Sequence, residues 1–201
     1  MIRVKICGIT TEQDARSAAA AGADAIGLVF VSASRRNVSI EQARRICRVL
    51  PPFVSRVGLF MNADRNQIEQ VLTAVRLDCL QFHGSESPEF CQAFGRQWIK
   101  ALAMGGGERP DWKPYADADA LLLDSHGEGK LGGSGKPFDW NRVPEIDRPW
   151  ILAGGLHPGN VAEACRQLHP DAVDVSSGVE IRPGIKDHRA LHEFIKAVRH
   201  A

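Results

Sequence analysis

Eight short runs of apolar and β-branched residues recur along the 201-residue chain at nearly regular intervals. They predict strands near Ile2–Cys7, Asp24–Phe30, Phe53–Phe60, Asp78–Phe82, Trp98–Ala103, Ala120–Asp124, Trp150–Ala153 and Ala172–Ser176. Helix-like segments of about 10–15 residues separate most of them, and such alternation indicates parallel strands with right-handed crossovers. Eight units of roughly 25 residues predict an α/β fold, a single compact (β/α)8 TIM barrel over residues 1–201.

Capping residues indicate where the helices begin. Thr11, Ser39 and Asp64 each precede a helix-like segment, and Asp187 precedes the last one, as N-cap side chains do. A fourth helix is expected to open at Ser85-x-x-Pro88.

Residues 104–117 and 125–148 are weakly periodic, which predicts a short or irregular fifth helix and a long loop after the sixth strand. The rival architecture is a doubly wound open sheet, which usually has a glycine-rich turn after its first strand. Gly8-Ile9-Thr10 matches that turn poorly, so the closed barrel is preferred.

The overall composition and charge exclude some classes of function but say little about the fold. The formal net charge is +1, so no overall field attracts nucleic acid or an acidic membrane surface. No apolar run approaches the ~20 residues that span a bilayer. The five cysteines contain no Cys-x-x-Cys, and the first residues do not resemble a signal peptide. We therefore expect a cytoplasmic protein without a disulfide framework.

Polar side chains follow the predicted strands at the face where (β/α)8 enzymes carry their active sites. In the first strand, Lys5 and Cys7 alternate with Val4 and Ile6, so Lys5 and Cys7 are expected to face the interior. Asp124 follows three leucines, where a carboxylate is costly to bury without a partner or a purpose. Cys7 and Asp124 are thus the candidate catalytic residues, facing each other across the barrel mouth.

Each candidate also has a purely structural interpretation. Cys7 could be an inert small apolar residue, although the ammonium of Lys5 would favour its thiolate. Asp124 could cap a loop, and His83, after the fourth strand, could be a hydrogen-bonded structural histidine.

Three glycine- and serine-rich turns follow the last three predicted strands, at Gly132–Gly135, Gly154-Gly155 and Ser177-Gly178. Backbone amides without side chains can hold a phosphate there. Tight turning in crowded loops is the alternative explanation. The triphosphate-binding pattern Gly-x-x-x-x-Gly-Lys-Ser/Thr does not occur.

The same residues fall within motifs that resemble the phosphoribosylanthranilate isomerase family of tryptophan biosynthesis. The resemblance extends nearly from end to end, through Val4–Thr10, Ala25–Phe30, Ser34–Val38, Leu80–Gly84, Leu123–Ser125, Gly132–Lys136, Ala153–Val161, Asp174–Glu180 and Pro183–Asp187. The family usually has proline in place of Arg35 and often threonine in place of Ser134, which keeps the hydroxyl. The motif register favours Arg36 over Arg35 as the substrate-binding arginine.

The resemblance implies an enzyme that converts N-(5-phosphoribosyl)anthranilate to 1-(2-carboxyphenylamino)-1-deoxyribulose 5-phosphate, an Amadori rearrangement, without cofactor or metal. It makes Cys7 the general base and Asp124 the general acid, and it places Arg36 on the anthranilate carboxylate. Further substrate contacts are expected from Lys5, Gln81 and His83. The expected phosphate-binding residues are Gly133, Gly135, Gly154, Gly155, Ser177 and Gly178.

This chemistry requires both catalytic groups to titrate closer to neutrality than they do in water. A free thiol has a pKa near ~8.5, so Cys7 needs a lowered pKa or must act through a minor thiolate fraction. A free aspartic acid has a pKa near ~3.9, so Asp124 needs a raised pKa, which burial can supply.

Two other functions are consistent with the barrel. A metal-dependent sugar-phosphate epimerase would need several His and Asp ligands at the mouth, where only His83 is well placed. His188 and His192 have metal-like i, i+4 spacing but lie on the last helix, so no metal site is expected. A noncatalytic sensor of phosphorylated ligands would need neither Cys7 nor Asp124. Monomer and homodimer are both compatible with the sequence.

Overall fold

The computed structural model describes residues 1–105, 110–125 and 138–201. Eight parallel strands form a closed barrel in sequence order, with the last strand pairing with the first. The strands are β1 Arg3–Cys7, β2 Ala25–Val29, β3 Ser55–Phe60, β4 Cys79–Phe82, β5 Gln97–Ala103, β6 Ala120–Asp124, β7 Trp150–Leu152 and β8 Ala172–Val175. The predicted TIM barrel is confirmed, and the open sheet is excluded.

Six α-helices lie in the described part of the chain. They are α1 Glu12–Ala21, α2 Ile40–Arg48, α3 Arg65–Ala74, α4 Pro88–Gln92, α5 Val161–Leu168 and α6 His188–Arg199. The four predicted caps are confirmed, since Thr11, Ser39, Asp64 and Asp187 each accept a backbone N–H of the first helical turn.

The predicted start of the fourth helix is wrong by two residues. Ser87, and not Ser85, caps α4 by accepting from the N–H of Phe90. Ser85 instead donates its backbone N–H and its hydroxyl to Asn62 Oδ1, in the loop after β3. Its side chain is therefore used to join two loops rather than to begin a helix.

The predicted irregular fifth helix is confirmed, because the described residues between β5 and β6 form only one 3-10 turn, Lys113–Tyr115. A hairpin of two short antiparallel strands, β9 Glu180–Arg182 and β10 Ile185–Lys186, follows β8 and was not predicted. Its turn, Pro183-Gly184, is a sequence signal that could have indicated it, since Gly184 has φ +85°.

The strands alternate between two apolar layers. Outward side chains such as Val4, Ile6 and Leu121 pack against the helices in the main core. Inward side chains such as Leu122 and Ile151 fill the barrel, below a smaller layer that contains Cys7. The expected inward orientation of Cys7 is therefore confirmed, and the upper layer forms the floor of the mouth.

None of the helices within the described ranges has the length and apolar content that crossing a membrane requires.

Candidate active site

A pocket of about 710 Å³, including space open to solvent, lies at the carboxyl ends of the strands. Sixteen described residues line it. Eight of them are site residues predicted from the sequence: Cys7, Arg36, Gln81, His83, Asp124, Gly154, Gly155 and Ser177. Lys5 lies deeper in the barrel, and Gly178 follows Ser177. The predicted residues Gly133 and Gly135 lie outside the described residues.

Cys7 is the last residue of β1, and its side chain points into the barrel with 6 % of its surface exposed. The thiol fits because the adjacent strand carries Gly27, on which a Cβ would lie 2.7 Å from Sγ of Cys7. Burial raises the pKa of the Cys7 thiol, and the Asp174 carboxylate raises it further, while Lys5 and Lys186 partly oppose this. These surroundings therefore favour the thiol form of Cys7 over the thiolate.

Lys5 lowers the pKa of Cys7, as expected, but burial has the larger effect and the Cys7 pKa is raised overall. Lys5 Nζ lies 2.9 Å from Asp174 Oδ2, its register partner on β8, and both side chains are buried. Burial alone would lower the pKa of Lys5, but the charges of Asp174 and Cys7 raise it above its ordinary value. The lysine is thus a cation neutralised mainly by Asp174.

Asp124 ends β6 with 7 % of its surface exposed, near a pair of polar side chains at the end of β4 and just after it. His83 Nε2 lies 3.5 Å from Asp124 Oδ2, and His83 Nδ1 lies 3.1 Å from Gln81 Nε2. The Gln81 amide and His83 Nδ1 form a hydrogen bond in which the donor depends on the tautomer of the ring. His83 and Gln81 thereby orient one another beside the carboxyl group.

Arg36 follows β2 and reaches the pocket over Gly8, while its neighbour Arg35 is exposed and does not line it. The Arg36 guanidinium donates from Nε to Glu180 Oε1 at 2.9 Å and from Nη2 to Glu180 Oε2 at 2.7 Å. These hydrogen bonds, with burial opposing them, raise the pKa of Arg36, so it stays a cation. It is the pocket arginine that an anionic substrate would meet.

The loops after β7 and β8 present bare backbone to the pocket. Gly154 has φ +83° and Gly155 has φ +68°, a conformation that disfavours other residues. A Cβ on Gly178 would collide with the carbonyl oxygen of Leu156, so this close approach requires glycine. The backbone N–H groups of Gly155, Ser177 and Gly178 donate to no acceptor among the described residues.

Sequence reasoning assigned no role to Asp174, Ser176, Glu180 and Lys186. Asp174 Oδ1 and Ser176 Oγ are buried without a hydrogen-bond partner in the described part of the chain, and both residues line the pocket. Strand phase could have found them, because Ala172, Asp174 and Ser176 share one face of the eighth strand.

No cluster of three His, Cys, Asp or Glu side chains suited to a metal ion occurs within residues 1–105, 110–125 and 138–201. His188 lies on α6, outside the barrel, where its Nε2 is 2.8 Å from Asp14 Oδ1. His192 is exposed on the same helix. The pair is therefore away from the pocket, as predicted.

Comparisons with known proteins agree with this arrangement. A family model described as N-(5'phosphoribosyl)anthranilate (PRA) isomerase matches residues 4–197. A protein of Acidithiobacillus ferrooxidans named N-(5'-phosphoribosyl)anthranilate isomerase is 54% identical over 201 residues, covering 99% of this chain and 98% of the relative.

Solved structures give the same result. The phosphoribosyl anthranilate isomerase of Thermus thermophilus is 40% identical, covers 99% of both chains and superposes with a TM-score of 0.89. A second such isomerase, solved in complex with reduced 1-(o-carboxyphenylamino)-1-deoxyribulose 5-phosphate, is 40% identical over 100% of both chains with a TM-score of 0.84. The chain therefore belongs to the N-(5'-phosphoribosyl)anthranilate isomerase family.

Proposed function

We propose that this chain catalyses the Amadori rearrangement of N-(5-phosphoribosyl)anthranilate to 1-(2-carboxyphenylamino)-1-deoxyribulose 5-phosphate, a step of tryptophan biosynthesis. Family membership supports the reaction. The observation that carries the residue roles is that a cysteine and an aspartate from different strands line one pocket beside glycine-rich loops.

The first step opens the furanose ring. The Asp124 carboxyl group donates a proton to the ring oxygen as the C1–O bond breaks, and the anilino nitrogen lone pair forms a C1=N iminium. The position of Asp124 supports this role, because it lines the pocket at the end of β6, buried beside His83.

The second step removes the C2 proton. The Cys7 thiolate accepts this proton, the C–H electrons form a C1=C2 bond, and the iminium electrons return to nitrogen. The resulting enolamine tautomerises to the ketone. The iminium is a cation, and a nearby cation favours a thiolate, so the substrate itself lowers the pKa of Cys7 when the base is needed.

The two ends of the substrate are both anionic. Arg36 binds the anthranilate carboxylate through its guanidinium, and the amides of Gly154, Gly155, Ser177 and Gly178 hold the phosphate. Gly133 and Gly135 complete this phosphate site, and Lys5 keeps Asp174 in place below the sugar. The reaction is an isomerisation within one molecule and uses no external oxidant or reductant, so it needs neither cofactor nor metal. A cytoplasmic setting suits the five free cysteines.

The decisive test follows the loss of anthranilate-type fluorescence when the protein is added to N-(5-phosphoribosyl)anthranilate. We expect turnover by the wild type, and a fall in kcat of ~10²–10⁴-fold in Cys7→Ala and in Asp124→Asn, because general acid–base groups contribute about that much.

Matched variants separate chemistry from folding. Cys79→Ala removes a second interior thiol in the layer below Cys7, and Asp117→Asn changes an exposed carboxylate, so both should retain turnover. Normal kcat in Cys7→Ala would exclude that residue as the base. Ligand binding without any turnover by the wild type would instead indicate a noncatalytic sensor.

A further inference from the structure

Arg36 is held from one side by a carboxylate on the hairpin that follows β8. The two hydrogen bonds to Glu180 use the Nε/Nη2 edge of the guanidinium. Nη1 donates to no acceptor among the residues that the structure describes. One complete edge of the guanidinium, Nη1 with the second N–H of Nη2, is thus left for a ligand in the pocket that Arg36 lines.

Glu180 is shared with a second buried cation. Lys186 Nζ lies 2.8 Å from Glu180 Oε1 and 3.1 Å from the carbonyl oxygen of Ser176, and the lysine side chain is fully buried. The nearby carboxylate of Asp14 is occupied by the backbone N–H of Lys186 and by His188. Two cations therefore share one carboxylate, which leaves one net positive charge in this cluster beside the pocket.

A buried excess of positive charge is unfavourable unless an anion completes it. The guanidinium edge fits a planar carboxylate, to which it can donate two parallel hydrogen bonds. We propose that Glu180 is a positioning residue that determines specificity for the ortho-carboxylate on the aromatic ring of the substrate. It fixes the plane of Arg36, and Lys186 keeps Glu180 from cancelling the charge of the arginine.

This inference rests on the proposed function, which supplies the carboxylate. The backbone at Gly8 supports it independently, because a Cβ there would lie 2.5 Å from Arg36 Cδ. The aliphatic stem of Arg36 is therefore confined by Gly8 while its head is held by Glu180. Glu180 itself does not line the pocket, so its effect on a ligand passes through Arg36.

The test compares two variants on two substrates. Glu180→Gln removes the charge, and Glu180→Asp keeps the charge between the two buried cations but withdraws the carboxylate by one methylene. The second variant preserves the buried charge balance and so protects the fold, which circular dichroism checks. The substrates are N-(5-phosphoribosyl)anthranilate and N-(5-phosphoribosyl)aniline, which lacks the carboxylate.

For the anthranilate substrate we expect KM to rise roughly tenfold or more in both variants, with kcat nearly unchanged, as expected for a weakened charged hydrogen-bond pair. The KM for the aniline substrate should stay at its wild-type value. Glu193→Gln, which removes the carboxylate of the exposed Arg189–Glu193 pair on α6, is the control and should change neither constant.

Equal increases in KM for both substrates would show a purely structural role and overturn the proposal, as would an unchanged KM for both. A wild-type protein that does not convert the anthranilate substrate at all would instead contradict the proposed function. Calorimetry with the reduced product analogue gives a second readout, since its affinity should fall in the Glu180 variants by the same factor as KM rises.

Discussion

The surroundings of Cys7 favour its protonated thiol over the thiolate. Its cationic neighbour Lys5 is already paired with Asp174, so the burial of Cys7 determines the direction of its pKa shift. A protonated buried thiol is a poor nucleophile and oxidises slowly. The base is therefore expected to form only after a cationic intermediate has formed beside it.

This protonation state gives a pH dependence. The base form is the thiolate, and a pKa raised above the ordinary value of 9.0 makes the thiolate fraction smaller at every pH below it. In Asp124→Asn, which lacks the titrating acid, the residual kcat/KM reports the ionisation of Cys7 in the free enzyme, so we expect it to rise with pH through the neutral range and to level off only above about pH 9. Cys91→Ala, which changes a buried thiol outside the pocket, should keep this profile. A plateau that begins near neutrality would contradict the raised pKa.

Strand alternation alone predicted the inward positions of Lys5 and Cys7, because the period of two depends only on local sequence. It could not predict that Asp174 lies opposite Lys5. That contact depends on the register between β8 and β1, which is a property of the closed barrel and leaves no local pattern. The direction of the effect of Lys5 on the Cys7 pKa was predicted, whereas the larger effect of burial was not.

At the level of elements, the loops differ more from expectation than the strands do. All eight predicted strands agree with the structure to within two residues at either end, because apolar β-branched runs are a strong local signal. The β9–β10 hairpin has only five residues in strands, which is too short for a periodic pattern. The hairpin matters for the site because it carries Glu180 and Lys186. Glu180 contacts Arg36, which is distant in sequence, and Lys186 contacts the residue after β8.

The loop after β8 gives a prediction for phosphate binding. In Gly178→Ala the added methyl group would collide with the Leu156 carbonyl, so the loop must move and its amides lose their positions. We expect the Kd for inorganic phosphate to rise about tenfold or more, the loss typical of one hydrogen bond to a charged group, as measured by calorimetry.

Gly95→Ala is the matched control, because a Cβ there would meet no atom within 4 Å and the residue is remote from the pocket. Its φ of +59° predicts a modest loss of stability and an unchanged Kd for phosphate. Phosphate binding by Gly178→Ala as tight as that of the wild type would contradict a role for this loop.

In the molecule as a whole, the barrel closes where β8 pairs with β1. The Lys5–Asp174 ion pair spans this junction inside the barrel. Outside it, Arg199 at the end of α6 donates to the carbonyl oxygens of Ile2 and Gly22 and pairs with Asp24. The first and last elements are thus joined on both faces of the sheet.

The interior pair gives a prediction for stability. Asp174→Asn leaves the buried Lys5 ammonium without its counter-charge, so we expect the free energy of unfolding to fall by about 3–5 kcal/mol. The double variant Lys5→Met/Asp174→Asn removes both charges and should recover most of this loss. Urea unfolding at neutral pH measures both values. A double variant no more stable than Asp174→Asn would show that the ion pair is not the cause.

The overall architecture was the most predictable property, since eight alternating units in one chain admit few topologies. The site was partly predictable, because barrel enzymes collect their functional side chains at the carboxyl ends of the strands. Protonation and the cluster of Arg36, Glu180 and Lys186 were not predictable, because each depends on burial and on contacts between distant segments.

The pairing of β8 with β1 also has a consequence for how the protein is made. A ribosome releases β1 first, and this strand cannot complete its pairing until β8 has emerged, about 165 residues later in the chain. Throughout that interval the nascent chain carries an open sheet edge, the kind of surface that pairs with other chains. The barrel can therefore close only after the whole segment from β1 to β8 has been synthesised.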